Sequence, residues 1–278
     1  MSQARAITGS SAAIGRLSPR TEQRLRELTY EHTGIVIGPD KTSLLLARIA
    51  KRLRTLGLPD ADAYLEVLQN DPSELQPFIN VITTNTTSFW REPDHFPMLL
   101  EAVKERVDAG QTRFRIWCAA ASTGQEPYTI AATVREMVEA RHLDLQILAT
   151  DIDTQVLTRA QEGVYSQQDI HRLPPHLRAE SFRREEAGWR VVGSVRRLVR
   201  FAQLNLTRPP FPMKGPLDII FCRNVMIYLD QPSRKRMVGE FERLLAPSGL
   251  LFVGHSESVL GMTRTLQTVR PSVYRRPG

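Results

Sequence analysis

The sequence predicts an α/β protein in which a small all-α N-terminal domain precedes a doubly wound domain with a small inserted β-subdomain. Three observations carry this prediction. Residues 17–82 show only helical periodicity, short apolar runs alternate with helical segments from residue 114 onward, and the stretch 171–201 interrupts that alternation. Alternating strands and helices favour a parallel sheet with right-handed crossovers. A length of 278 residues suits two domains at roughly 150 residues each.

The composition is that of a globular protein with a basic surface. The net charge is +7, and no apolar run approaches the roughly 20 residues of a membrane span. Residues 1–16 are small and polar, so we expect a disordered tail without a signal peptide. The two cysteines, Cys118 and Cys222, cannot form a disulfide framework or a four-ligand zinc site. We therefore expect a reduced, cytoplasmic protein that does not insert into membranes and that attracts an acidic partner.

Local signals define four helices in the N-terminal domain. Ser18 and Pro19 are typical of a helix start. A second helix is predicted over 41–56 and ends at Gly57, and two more are predicted over 61–69 and 73–82. The apolar positions of the second helix recur at helical spacing. They are Leu45, Ile49, Leu53 and Leu56.

The second domain is predicted from strands that are apolar throughout, which is typical of a sheet covered on both faces. Strands and helices alternate in the order 114–119, 125–139, 145–150, 154–162, 217–222, 231–245 and 249–253. Glycines and apolar runs within 171–201 predict a short β excursion inserted into this domain.

A ligand-binding corner is predicted where the first strand meets its helix, at 119–128. Nucleotide sites of doubly wound sheets lie at such corners, but the chain has no G-x-G-x-x-G motif to hold a pyrophosphate. Only Gly124 occurs in the turn, so we expect a ligand to approach closely there without a phosphate. Asp151 ends the second strand, 27 positions after Gly124, where a carboxylate can accept hydrogen bonds from ribose hydroxyls. These features favour S-adenosylmethionine.

Two further acids near this corner have alternative interpretations. Glu126 either balances the helix dipole or faces the cationic end of a methionine moiety. Asp153 is expected to cap the helix that follows it, rather than to bind a ligand.

Five motifs in order carry a resemblance to a known family. They are 85–92 (NTTSFWRE) with His95-Phe96, 119–128 (AAASTGQEPY), 149–153 (ATDID) with Asn205-Leu206, 221–228 (FCRNVMIY) and 254–257 (GHSE). Together they resemble the chemotaxis receptor methyltransferases (the CheR family) over residues 17–274. Trp90 is a conservative departure, since another apolar aromatic such as Phe is usual there.

This resemblance implies a Rossmann-like methyltransferase domain over 83–278 and transfer of a methyl group from S-adenosylmethionine to glutamate side chains, leaving S-adenosylhomocysteine. The implied partner is the acidic helical cytoplasmic domain of a chemoreceptor. Arg91 and Tyr228 are implied to flank the reacting centre. The implied cofactor contacts are Asn85, Thr87, Arg91, Glu126, Asp151, Asn205, Leu206, Arg223 and Asn224.

The chemistry of this reaction suits the candidate residues. A glutamate carboxylate with a pKa near ~4.3 is already ionised at pH 7, so no general base is needed. Arg91 and Tyr228 can donate hydrogen bonds that orient a carboxylate. Their structural alternatives are a strand-end ion pair and a core aromatic ring.

The second helix is a candidate docking surface for an acidic receptor. It carries five basic residues and no acid between residues 41 and 54, and Arg48, Lys51 and Arg54 lie opposite its apolar face. The alternative is an ordinary solvated face. The segment 171–201 is also basic, but it looks short between Arg184 and Trp189, which makes tethering to a receptor-tail pentapeptide doubtful.

Two other functions stay open at this stage. An RNA methyltransferase would fit the charge, although the 41–56 helix has no aromatic residue for base stacking. A non-catalytic S-adenosylmethionine sensor would fit the corner. Cys222 is interpreted as a buried strand residue, His255 as a structural hydrogen-bonding group, and the six histidines show no metal-ligand spacing. We expect no metal, no nucleic-acid partner and a monomer.

Overall fold

A computed structural model describes residues 17–278, so the predicted tail at 1–16 lies outside the described residues. The chain divides into two compact units at Thr83–Thr84. No helix of the described residues is long and apolar enough to cross a bilayer.

The first unit is all helical. Its helices are α1 (Pro19–Thr33), α2 (Thr42–Leu56), α3 (Ala61–Asn70) and α4 (Leu75–Ile82), with single 3-10 turns at Pro39–Lys41 and Pro72–Glu74. Ser18 caps α1 by accepting a hydrogen bond from the backbone of Thr21, and Gly57 ends α2 in the left-handed conformation. The predicted helix starts and stops are therefore confirmed here.

The core of this unit is formed by the apolar faces that the helical spacing predicts. Leu45, Ile49 and Leu53 of α2 are buried against residues of the other helices. Leu56 is 39% exposed, so the predicted apolar face ends one turn earlier than expected.

The second unit is an α/β domain. Its elements in chain order are α5 (His95–Asp108), β1 (Arg113–Cys118), α6 (Gln125–Ala140), β2 (Asp144–Asp151), α7 (Thr154–Glu162), β3 (Val164–Tyr165), α8 (Gln167–Ile170), α9 (Pro175–Ser181), β4 (Phe182–Glu185), β5 (Gly188–Val191), α10 (Gly193–Arg196), β6 (Val199–Gln203), β7 (Leu217–Cys222), α11 (Gln231–Leu244), β8 (Leu245–Val253), β9 (Gln267–Arg270) and β10 (Val273–Arg275). The α/β class and the alternation of strands and helices are as predicted.

The main sheet has seven strands in the order β6-β2-β1-β7-β8-β10-β9. The first five are parallel, while β10 runs antiparallel to both of its neighbours. Separate apolar clusters cover its two faces, which explains why every residue of β7 is buried. The strand order reverses between β1 and β7, and ligands of such sheets bind at the carboxyl ends of the strands at this switch point.

The inserted β structure differs at both ends from the predicted excursion over 171–201. The three-stranded antiparallel sheet has the order β3-β5-β4, so it begins at Val164 and ends at Val191. Residues Val199–Gln203 instead join the main sheet, because β6 pairs in parallel with β2. The α5 helix and the β9–β10 hairpin were not predicted.

Candidate active site

The site is built where the carboxyl ends of β1, β2 and β7 meet at the switch point. Each strand passes directly into a motif: the 119–124 turn after β1, Asp151 at the end of β2, and the pair Arg223-Asn224 after β7. The predicted corner is therefore assembled by the fold rather than by sequence proximity.

Asp151 is held at this corner by backbone amides. Its Oδ2 accepts a hydrogen bond from the backbone N–H of Ser122 at 2.8 Å, and its Oδ1 accepts one from that of Asp153 at 3.0 Å. Burial raises the pKa of Asp151 to about 6. The side chain of Asp153 caps α7 through the backbone of Gln155 and Val156, as expected for its structural role.

Asn85 joins the preceding loop to the same corner. Its Nδ2 donates to Oδ2 of Asp153 at 2.7 Å, and its carbonyl accepts a hydrogen bond from Oγ of Ser122 at 2.9 Å. Thr87 is half-buried in this loop, and Arg91 donates from Nη1 to the carbonyl of Thr86 at 3.0 Å. The loop is thereby tied to the first strand–helix turn and to the start of α7.

Gly124 is required for a different reason from the one the sequence suggested. Its φ is +94°, and a Cβ there would lie 2.6 Å from Oη of Tyr165 and 2.9 Å from Cβ of Ala160. The space that we expected a ligand to approach is filled by protein. Gly124 therefore allows the β1–α6 turn to pack against α7 and Tyr165.

Arg223 lies between two carboxylates with no exposed side-chain surface. Its Nε and Nη2 donate to Oε2 of Glu92 at 3.2 and 3.0 Å, and its Nη1 lies 3.1 Å from Oε2 of Glu126. The contact with Glu126 lacks hydrogen-bond alignment, so it is an ion pair only. The Phe96 ring also faces the guanidinium, at 5.7 Å.

The two carboxylates are affected differently by this arrangement. Burial raises the pKa of Glu126, against the opposing charge of Arg223, and Sγ of Cys118 approaches its Oε1 at 3.3 Å. Burial would also raise the pKa of Glu92, but the hydrogen bond from Asn224 and the charge of Arg223 lower it overall. A second cation beside Glu126 would therefore stabilise its ionised form.

Asn224 follows Arg223 in the left-handed conformation, with φ +59°. Its Nδ2 donates to Oε1 of Glu92 at 3.0 Å, and its backbone N–H donates to Oε2 of Glu257 at 2.7 Å. Glu92 and Glu257 lie within the quoted motifs, but they were not predicted as site residues. Their contacts with Arg223, Asn224 and Val225 join segments that are distant in the sequence, so these contacts could not be predicted from local patterns.

The remaining candidate residues follow the strands β6 and β7. Asn205 and Leu206 follow β6, and Leu206 belongs to an apolar cluster that includes Ala119. The adjacent Leu204 donates its backbone N–H to the carbonyl of Asp151 at 2.9 Å. Tyr228 is half-buried in a 3-10 turn, Met226–Tyr228, after β7.

The docking candidates on α2 differ in exposure. Lys51 and Arg54 are exposed, whereas Arg48 is half-buried and donates from Nη1 to the carbonyl of Ile82. Arg52, a fourth basic residue of α2, pairs in a bidentate manner with Glu74 at 2.7 Å. Arg48 and Arg52 form hydrogen bonds within the helical unit. The exposed positive surface of α2 is therefore smaller than the sequence suggested.

Three potential metal ligands converge at one end of the site. Atoms of Glu92, His95 and His255 lie within 4.8 Å of one another. The Glu92 carboxylate already accepts hydrogen bonds from Arg223 and Asn224, so protein donors occupy both of its oxygens. The carboxylate of Asp94 lies 3.1 Å from Nε2 of His255. This contact agrees with the interpretation of His255 as a structural hydrogen-bonding group.

A mostly parallel sheet with this order, a buried carboxylate at the end of β2 and no glycine-rich pyrophosphate loop after β1 are typical of a nucleoside-binding α/β domain. Comparison with known proteins identifies the family. The model "CheR methyltransferase, SAM binding domain" matches residues 85–275, and "CheR methyltransferase, all-alpha domain" matches residues 21–83. The chain belongs to the CheR methyltransferase family, and its cofactor is S-adenosylmethionine.

The similar curated proteins span nearly the whole chain. "Chemotaxis protein methyltransferase 2" of Pseudomonas aeruginosa is 41% identical over 256 residues, which is 91% of each chain. "Chemotaxis protein methyltransferase" of Klebsiella aerogenes is 40% identical over 93% of this chain and 90% of the relative. The protein of the same name from Escherichia coli is 39% identical over 93% and 91%, respectively.

Proposed function

We propose that this chain transfers the methyl group of S-adenosylmethionine to glutamate side chains on the cytoplasmic helices of a chemoreceptor, which forms methyl esters. The observation that carries the proposal is the corner at Asp151, where a buried carboxylate is held by backbone amides beside a turn that lacks a phosphate cradle. The chemotaxis methyltransferases among the relatives support the receptor as substrate.

The cofactor would be held by groups from each strand end. Asp151 has lone pairs left on both oxygens to accept hydrogen bonds from a ribose diol. Glu126 would pair with the methionine ammonium. Burial raises the pKa of this acid even with Arg223 at 3.1 Å, so a further positive charge would stabilise its ionised form. The other proposed contacts are Asn85, Thr87, Arg91, Asn205, Leu206, Arg223 and Asn224.

The proposed reaction needs orientation more than acid–base chemistry. When bound, S-adenosylmethionine supplies an electrophilic methyl group on a positively charged sulfur. A glutamate carboxylate is already ionised at neutral pH, so the protein need not remove a proton. Arg91 and Tyr228 are proposed to donate hydrogen bonds that hold this carboxylate in line. Such orientation can supply on the order of 7–11 kcal/mol of the barrier reduction.

The helical unit, residues 17–82, is proposed as the receptor-docking domain, and residues 83–278 as the catalytic domain. Lys51 and Arg54 are exposed cations one turn apart on α2, a spacing that suits the acids of a receptor helix. Arg48, which is half-buried on the same helix, is proposed to add its positive charge to this docking surface. We propose that the enzyme is a cytoplasmic monomer that acts without a receptor-tail tether.

The two alternative functions are not favoured. The curated relatives are chemotaxis methyltransferases, which disfavours an RNA substrate. A non-catalytic sensor would have no need of the orienting groups that are proposed for Arg91 and Tyr228.

The test is transfer of tritiated methyl groups onto purified receptor cytoplasmic domains, followed by mild alkali. A carboxyl methyl ester releases its label as methanol, whereas methylated nucleobases retain theirs. Label that survives alkali, or label that appears on RNA and not on receptor, would contradict the proposal. Loss of labelling when the receptor glutamates are replaced by alanine identifies the acceptor.

A further inference from the structure

The turn after β7 is clamped from two sides by carboxylates that belong to other segments. Glu92 holds side chains of this turn, namely the guanidinium of Arg223 and the amide of Asn224. Glu257 holds its backbone. Glu92 therefore orients the side chains of the turn, and Glu257 fixes the conformation of its backbone.

Glu257 accepts three backbone N–H groups at short distances. The donors are Asn224 at 2.7 Å and Gly254 at 2.7 Å, both to Oε2, and Val225 at 2.8 Å to Oε1. Its residue surface is 8% exposed, and in the part of the chain that the structure describes no basic side chain forms an ion pair with it. The buried charge is therefore compensated by backbone amides, which orients the peptide units that donate to it.

Gly254 shows how closely the two turns approach each other. A Cβ at this position would lie 2.6 Å from Nδ2 of Asn224 and 2.7 Å from Oε2 of Glu257. The glycine lets the turn after β8 come into contact with the turn after β7, so that a single carboxylate can bridge both. The left-handed φ of +59° at Asn224 is an uncommon conformation that needs such support.

The geometry points to Glu257 as a positioning residue: it fixes the Arg223-Asn224 turn so that both side chains face the cofactor corner. This inference rests on the proposed function, because it takes Arg223 and Asn224 as cofactor contacts. In this role Glu257 would touch neither cofactor nor substrate. Its effect reaches the cofactor through the backbone of Asn224 and Val225.

The variant Glu257→Gln tests this role with little change in side-chain size. An amide can accept at only one of its two ends, so its NH₂ group must face at least one of the three backbone donors. We expect cofactor affinity, measured by calorimetry, to fall about tenfold, and KM for the cofactor to rise in parallel while kcat changes by less than about threefold.

The matched control is Glu242→Gln in the same domain. Glu242 also accepts several hydrogen bonds, from Thr263 and Thr265, but these lie in the loop before β9. All of these bonds go to Oε1, so a glutamine carbonyl can accept them, and this variant should keep its cofactor affinity. If Glu257→Gln does not fold at the assay temperature, Glu257→Asp is measured instead; it keeps the charge but is one methylene too short to bridge both turns, so the same loss of affinity is expected.

A double-mutant cycle with Asn224→Gly separates the possible outcomes. Glycine removes the amide side chain and accepts the left-handed backbone without strain. If Glu257 acts through this turn, the double variant loses less affinity than the product of the two single losses. Independent losses, or an unchanged affinity in Glu257→Gln, would overturn the positioning role. If Asn224→Gly alone leaves the cofactor affinity unchanged, Asn224 is not a cofactor contact. That result would contradict the proposed cofactor site, and not only the positioning role of Glu257.

Discussion

Ser122 donates its backbone N–H to the Asp151 carboxylate at the carboxyl ends of two neighbouring strands of the sheet, at 2.8 Å. The bond joins the turn after β1 to the end of β2, and it leaves Asp151 able to accept further donors. Burial without a cationic partner raises the pKa of this acid to about 6. The proposed ribose-binding group therefore titrates within an experimentally accessible range.

We predict that cofactor affinity weakens as the pH falls through about 6. A ribose diol donates to the ionised carboxylate, so protonation competes with binding. For a pKa of about 6, affinity should be roughly tenfold lower at pH 5 than at pH 7.5, as measured by calorimetry with S-adenosylhomocysteine. In Asp151→Asn affinity should be low at both pH values with no such slope. An unchanged slope in that variant would show that another group controls the pH dependence.

The same shift has a consequence for stability in the absence of cofactor. The folded-state pKa of about 6 is above the ordinary value of 3.8, so the native state binds more protons between these values than the unfolded state does. Asp151 should therefore reduce the free energy of unfolding as pH rises from 4 to 6, by about 3 kcal/mol at most. Urea denaturation of wild type and Asp151→Asn isolates this contribution as the difference between their pH profiles.

Gly124→Ala is predicted to destabilise the protein through packing. Its Cβ would contact Oη of Tyr165 at 2.6 Å at a φ of +94°. We expect a loss of about 2–4 kcal/mol in the free energy of unfolding. Gly193→Ala is the control, because a Cβ there meets nothing within 4 Å. The double variant Gly124→Ala with Tyr165→Phe should recover part of the loss; equal instability with and without the Tyr165 hydroxyl would argue against this clash.

What could be predicted from the sequence was encoded locally. The cap at Ser18, the stop at Gly57 and the apolar runs of β1, β2 and β7 depend on neighbouring residues, so their positions were predicted within about two residues. The α5 helix was missed although His95, Phe96, Leu99 and Val103 are buried at helical spacing, because that segment was interpreted only as a motif. The β9–β10 hairpin has mostly exposed edge residues and thus no clear alternation.

The contacts of the site could not be predicted in this way. Glu92 and Arg223 are 131 residues apart, and only the tertiary fold shows that they form a partly buried ion pair. Arg52 illustrates the same limit in the helical unit: its sequence neighbours on α2 offer no acid, yet Glu74 binds it from 22 residues away. Charge patterns along one helix therefore overestimate the number of cations that are available to a partner.

The basic face of α2 gives a prediction that takes this into account. Lys51→Glu with Arg54→Glu should lower receptor methylation about tenfold at low salt and leave cofactor affinity unchanged, because the exposed cations are proposed to meet receptor acids. Arg48 is left intact because it contacts the carbonyl of Ile82. The control, Lys235→Glu with Arg236→Glu on α11, makes the same charge change on another exposed surface. Equal losses in both variants would indicate a net-charge effect and not docking.

Tyr228→Phe tests the proposed orienting role at the reacting centre. Tyr228 is half-buried after β7, in the segment that also carries Arg223 and Asn224. Removal of the hydroxyl should lower kcat about tenfold and change cofactor affinity less than twofold, since the hydrogen bond is proposed to be made to the receptor carboxylate during transfer. Tyr274→Phe is the control, because that hydroxyl lies 3.3 Å from Oγ of Ser258. It should affect thermal stability and leave kcat intact. If Tyr228→Phe lowers kcat and cofactor affinity by the same factor, the tyrosine supports the pocket by packing and does not orient the substrate.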